Sequence, residues 1–213
     1  MEKQIPQFLK DLLIEQYGEE ISAKIENGYK AQRPVTLRVN NLKTSLEKAK
    51  EKLDEAQIEY ETISWYEKAL IIKNVREEKI RKLEIYENGE IYLQSLSSML
   101  PPIILEPKAG ENIFDKNFSK ELVERSVKFQ EELLSKALKI LKPGGEMVYS
   151  TCSILKQENE KVLERVLSKG NAQIEPITVQ DIEVLPSKIA ETITVCPTEN
   201  YEGFFVAKIK KLR

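Results

Sequence analysis

The chain has 213 residues, 41% apolar and 32% charged, with a mean hydropathy of -0.41; this describes a globular protein of one or two domains and excludes a disordered chain. Its 33 basic and 35 acidic residues leave a net charge of -2, so no strongly basic domain advertises nucleic-acid binding. The sequence has no histidine, and its two cysteines, Cys152 and Cys196, are too few for a disulfide framework or a cysteine-rich zinc site, so no metal centre is expected.

No apolar run approaches the ~18 residues of a membrane span. The N-terminal stretch carries charges among its apolar residues and lacks the apolar core of a secretory signal. The expectation is a cytoplasmic protein without a membrane partner.

Residues 5–28 predict two short helices, with Pro6 in a tolerant first turn and Gly18 and Gly28 as stops. Val35 to Asn40 alternates as a half-buried strand, sending Val35, Leu37 and Val39 inward and Arg38 and Asn40 to the opposite face. Thr44 followed by Glu47 has the spacing of a capping box, ahead of a helix whose apolar face is Leu46, Ala49, Leu53 and Ala56. Further strands are expected at Tyr60 to Ser64, Ala69 to Ile72 and Glu90 to Gln94, the last after an Asn88-Gly89 turn. Residues 1–95 therefore predict a small α+β domain.

After Pro101-Pro102 the pattern changes. A short strand is expected at Asn112 to Asp115. A long amphipathic helix from about Ser119 to Leu141 ends at Pro143-Gly144-Gly145. A strand then covers Glu146 to Cys152, a helix Gln157 to Leu167, and two late strands Thr192 to Cys196 and Gly203 to Lys210.

Four segments carry a resemblance. The first and most specific is Leu141-Lys-Pro-Gly-Gly-Glu-Met-Val-Tyr-Ser-Thr-Cys-Ser-Ile154, followed by Glu158-Asn159-Glu160. The others are Pro34-Val-Thr-Leu-Arg-Val-Asn40 with Leu42-Lys43, Gly89 to Leu100, and Pro197 with Gly203-Phe-Phe-Val-Ala207. In this order they resemble the RsmB/Sun-type RNA cytosine-5 methyltransferases across nearly the whole chain. The resemblance implies an α/β protein: a small N-terminal α+β RNA-binding domain (1–95) followed by a Rossmann-like methyltransferase domain (96–213). It implies methyl transfer from S-adenosylmethionine to cytosine in ribosomal or transfer RNA through a cysteine–cytosine adduct, with Cys152 as the nucleophile. A thiolate at the C-terminal end of a strand suits both the chemistry and the usual place of α/β sites.

Taken without the flanking motif, Cys152 reads as a small buried apolar residue, and Cys196, which has no motif, keeps that reading. Arg38, Asn40 and Lys43 read equally as RNA contacts or as a solvated strand face.

One part of the family pattern is missing. A relative would follow a strand like Glu111 to Asp115 with a glycine-rich turn for the cofactor, an acidic residue for its ribose, and an Asp-Ala-Pro-Cys segment. Here Asp115 runs directly into Lys116, and the second domain is expected to be incomplete, internally deleted near 115–116. At ~30 residues per strand–helix–strand unit, the loss is at least ~60 residues. The expectation is an inactive chain with exposed apolar faces that promote self-association, the alternative being a non-catalytic RNA-binding remnant.

Overall fold

The computed structural model describes residues 5–105 and 123–213. The expected strand at Asn112 to Asp115, the junction at Asp115-Lys116 and the first residues of the long helix lie outside them.

In chain order the elements begin with α1 (Gln7–Lys30), β1 (Val35–Val39), α2 (Leu46–Glu55), β2 (Tyr60–Thr62), β3 (Ala69–Ile72), α3 (Glu77–Ile80), α4 (Glu84–Glu87) and β4 (Ile91–Leu93). A 3₁₀ turn (Ser97–Met99) and α5 (Leu100–Leu105) lead to α6 (Val123–Ile140), β5 (Glu146–Thr151), α7 (Glu160–Leu167), β6 (Ala172–Glu175), β7 (Ile193–Val195) and β8 (Phe204–Lys211). Among the described residues, no helix is long and apolar enough to cross a membrane.

The first sheet is antiparallel, in the order β2-β3-β1-β4. Alternation along β1 puts Val35, Leu37 and Val39 on one face with Leu70, Ile72 and Ile91, and there Ala49 and Leu53 of α2 with Ile80 and Ile85 close a core. Fully burying one such side chain stabilises by ~1.5–3 kcal/mol. The opposite face offers Ala69 and Ile71, which pack with Leu96, Met99 and Tyr201 and join this sheet to the later part of the chain.

The second sheet is organised by β8. β5 pairs along one edge, and β6 and β7 take the other, all antiparallel to β8. Phe205, Ala207 and Ile209 face Leu134 and Leu138 of α6 and Val162, Leu163 and Val166 of α7. Phe204 and Val206 face Leu100 of α5 with Ile193 and Val195. Among the described residues no strand pairs with the outer edge of β5, and none of its six residues is fully buried.

Several sequence expectations need correction. α1 is two helices meeting at Gly18 (φ 81°), as expected, but Gly28 is not a stop: the helix runs on to Lys30. A Cβ on Gly28 would stand 1.9 Å from the Pro197 carbonyl oxygen, so glycine is required by close packing. The cap of α2 is Ser45, whose Oγ accepts from Lys48 N at 3.3 Å, one position after the expected Thr44. The helix expected from Gln157 starts at Glu160, after consecutive turns. Sequence periodicity also missed β6 and the short helices α3, α4 and α5, all of six residues or fewer.

Candidate active site

Cys152 lies directly after β5, at its C-terminal end, and is exposed. Ladder bonds to β8 run through Thr151, paired with Phe205, so the strand delivers the cysteine from a fixed point. Around it the chain is tied from several directions. Thr151 Oγ1 donates to Asn159 Oδ1 at 2.6 Å, and Asn159 Nδ2 donates to the Ser153 carbonyl at 2.9 Å. Ser153 Oγ accepts from Leu155 N at 3.1 Å, and Tyr149 Oη donates to the Glu158 carbonyl at 2.6 Å.

α1 braces the same loop from outside the sheet. Tyr17 Oη donates to the Ile154 carbonyl. Gln16 accepts from Lys156 N at 3.2 Å and donates to Gln157 Oε1 at 2.7 Å, and the Lys156 ammonium stands 4.7 Å from the Tyr17 ring centroid. Beneath these bonds Leu13, Tyr17 and Ile25 pack on Ile154, Leu185 and Cys196. Burial, helped by Glu160, pushes the Tyr17 phenol well above its usual range, and burial pushes Tyr29 up to about 12, so both stay neutral.

The electrostatics do not activate the thiol. Partial desolvation, and then the Glu202 carboxylate, raise the Cys152 thiol above its ordinary value, opposite to what forms a thiolate. Cys196 is a core residue, 1% exposed, with its thiol pushed up to about 11 by burial and by Glu183.

The other sequence candidates sit on the first sheet. Arg38 Nε donates to Gln94 Oε1 at 3.0 Å, and its guanidinium lies 5.4 Å from the centroid of the half-exposed Tyr92 ring. Asn40 is not on a solvated face. It is 7% exposed, donates to the Gly89 carbonyl at 2.8 Å and Tyr92 Oη at 3.2 Å, and accepts from Leu42 N. It shapes the turn after β1. Lys43 Nζ donates to the Asn88 carbonyl at 2.7 Å while its side chain stays exposed. Arg38 and Asn40 thus meet at Tyr92, with Lys43 bonded at Asn88 nearby in β4's lead-in; Cys152 belongs to the other sheet. Sequence reasoning missed Tyr92 and the bracing by α1. The one signal for Asn159 was its place in the Glu158-Asn159-Glu160 run.

The described residues place no glycine-rich turn beside Cys152. Their one glycine pair, Gly144-Gly145, makes the turn before β5, with Gly144 N bonded to the Lys211 carbonyl, at the opposite end of the strand from Cys152. Among the described residues no cluster of aspartate, glutamate or cysteine side chains fits a metal ion.

Comparison with known proteins bears on the family and the fold. The family profile described as 16S rRNA methyltransferase RsmB/F matches residues 115–210, and the ferredoxin-like domain of RsmF/B-like methyltransferases matches residues 5–77. A tRNA (cytosine(49)-C(5))-methyltransferase of Pyrococcus abyssi is 26% identical over 283 positions, covering 87% of this chain and 90% of that protein. Ribosomal RNA small subunit methyltransferase F of Aeromonas salmonicida is 31% identical over 142 positions, which span 58% of this chain but 28% of that protein. Among solved structures, a methyltransferase homolog protein from Pyrococcus horikoshii has a TM-score of 0.82 at 21% identity, covering 98% of this chain and 96% of that one. NSun6 from the same organism, solved with SFG, has a TM-score of 0.79 at 15% identity, covering 98% of each chain. With a ferredoxin-like first sheet, a methyltransferase-like second part and profile matches over both, this chain belongs to the RsmB/F family of RNA cytosine-5 methyltransferases.

Proposed function

We propose that the chain descends from an RNA cytosine-5 methyltransferase, retains the RNA-facing domain and the nucleophile turn, and does not turn over by itself. Cys152 is the inherited nucleophile: its Sγ would add to C6 of a cytosine, forming the carbon–sulfur bond that makes the neighbouring C5 electron-rich. The observation that carries the reading is the braced, exposed Cys152 at the end of a strand whose outer edge has no partner strand among the described residues. The alignment to the Pyrococcus abyssi enzyme supports an internal loss. It spans 283 positions, whereas 87% of 213 residues is about 185, which leaves about 98 positions of the relative opposite no residue here.

RNA, ribosomal or transfer, is the proposed partner, with Arg38 stacked near Tyr92 as the best-placed contact. The exposed Leu133 and Ile140 of α6 and, separately, the open edge of β5 favour self-association. A cytoplasmic location follows from the same reading.

A radiolabelled methyl-transfer assay on unmodified total RNA tests the inactivity. The expected result is no multiple turnover; repeated turnovers that vanish in Cys152→Ser would overturn it. A thermal melt with saturating S-adenosylmethionine is expected to show no upward shift, since a site bound at a hundredfold excess over Kd would add ~2.7 kcal/mol. The second reading, a non-catalytic RNA-binding protein, draws on the closed core of the first sheet. It requires RNA affinity that survives Cys152→Ser and falls in Arg38→Ala.

A further inference from the structure

We propose that Asn159 is the positioning residue of the Cys152 turn: its single amide bridges the residues on both sides of Cys152 and so fixes the conformation in which that side chain is held partly desolvated. The catalytic meaning of this role rests on the reading of Cys152 as the nucleophile.

Asn159 is 0% exposed, and both ends of its amide are used. The oxygen accepts from Thr151 Oγ1, and the nitrogen donates to the Ser153 carbonyl. A buried amide atom left unpaired is costly, so the amide and the two turn residues behave as a unit. The position needs an acceptor and a donor together on a short stem. Aspartate lacks the donor, and leucine lacks both. Asn159 is itself anchored, because its carbonyl accepts from Val162 N and Leu163 N, both at 3.1 Å, and those two residues are fully buried at the start of α7. The bridge therefore links the turn to a helix packed in the core. Between the two tied residues Cys152 is the exposed one.

The test is alkylation by iodoacetamide across pH, with labelling at Cys152 counted separately from the buried Cys196 by peptide mass spectrometry. The variants are Asn159→Ala, Thr151→Val and, as a control for simple destabilisation, Ser187→Ala, which removes a hydroxyl bonded to Glu160 on the same helix. The thiolate is the reacting species. Release of the turn lets solvent relieve the desolvation that holds the thiol up, so the pH midpoint for Cys152 is expected to move down. The rate at pH 8 should rise severalfold in Asn159→Ala and Thr151→Val, and Ser187→Ala should follow the parent.

Unchanged midpoint and rate in folded Thr151→Val and Asn159→Ala overturn the proposal and leave Asn159 a packing residue. If Asn159→Ala does not fold, Thr151→Val decides alone. The nucleophile reading is separated by a further arm with the parent chain. Protection of Cys152 from labelling by unmodified RNA supports that reading. Absence of protection, with the variant shifts intact, sinks it and leaves the positioning role standing.

Discussion

β1 and β5 are the same kind of object in sequence, short β-branched and apolar runs, and opposites in the fold. β1 has neighbours on both edges, β3 and β4, and its inward residues Val35, Leu37 and Val39 are buried. β5 pairs with β8 alone among the described strands, and all six of its residues keep some solvent contact. A strand's stability comes from its neighbours more than from its own propensity, and the strand that carries the candidate nucleophile is the less supported of the two.

The sharpest way to break this comparison is to cut an apolar side chain from each strand. Leu37→Ala, fully buried in the first core, should cost ~3 kcal/mol in urea unfolding, whereas Met147→Ala on β5 should cost ~1 kcal/mol. Equal losses would mean that β5 is as well supported as β1.

The next test concerns the packing of α1 on the loop that follows β7. Gly28→Ala forces a methyl group onto the Pro197 carbonyl and should cost ~2 kcal/mol, more than a well-tolerated helix substitution would. A stable Gly28→Ala protein would show that α1 does not lean on that loop.

The same interface has a pH signature. The Cys196 thiol ionises at about 11 in the folded state against an ordinary 9.0. A raised folded value means that the unfolded chain loses its proton first. The contribution is therefore complete below pH 9 and is lost as pH rises towards 11, on the order of 2 kcal/mol in all. Chemical melts from pH 8 to 10, below the range in which the raised Tyr17 and Tyr29 phenols add a decline of the same sign, should show its onset, and Cys196→Ala should flatten it there. An equally steep decline in the variant would assign it to other groups.

The smallest effect belongs to the first sheet. Ser45→Ala should lose ~1 kcal/mol in thermal melts, and Thr44→Ala should change stability by less than ~0.5 kcal/mol. The reverse order would restore the capping box read from sequence.

What could be read from the sequence follows from where the forces are local. β1 and the apolar face of α2 were legible because one-sided burial writes a period of two or of 3.6 into the chain, and β3 because burial on both faces leaves a continuous apolar run. β6 was not, because Ala172 is its one fully buried residue and its pairing depends on a distant β8. Gly28 was misread as a helix stop because its glycine answers to Pro197, 169 residues along the chain. At the candidate site, the Thr-Cys-Ser motif pointed to Cys152. The amide of Asn159 and the reach of Tyr17 are tertiary facts with no period to betray them. Asn40 failed as a surface residue for a similar reason: a side chain that bonds its own turn looks polar in sequence and is buried in space.

The arrangement of the second sheet also sets a timetable. Every described strand of that sheet pairs with β8, and β8 follows all of them in the chain. On a ribosome the first sheet has all four strands once Leu93 has emerged. β5 instead waits for Phe205 before it gains any ladder at all. At synthesis rates of ~5–20 residues per second, the strand that leads into Cys152 stays unpaired for ~3–10 seconds. For that interval its apolar edge is open to chaperones and to other nascent chains, a vulnerability that the finished fold reduces and does not erase.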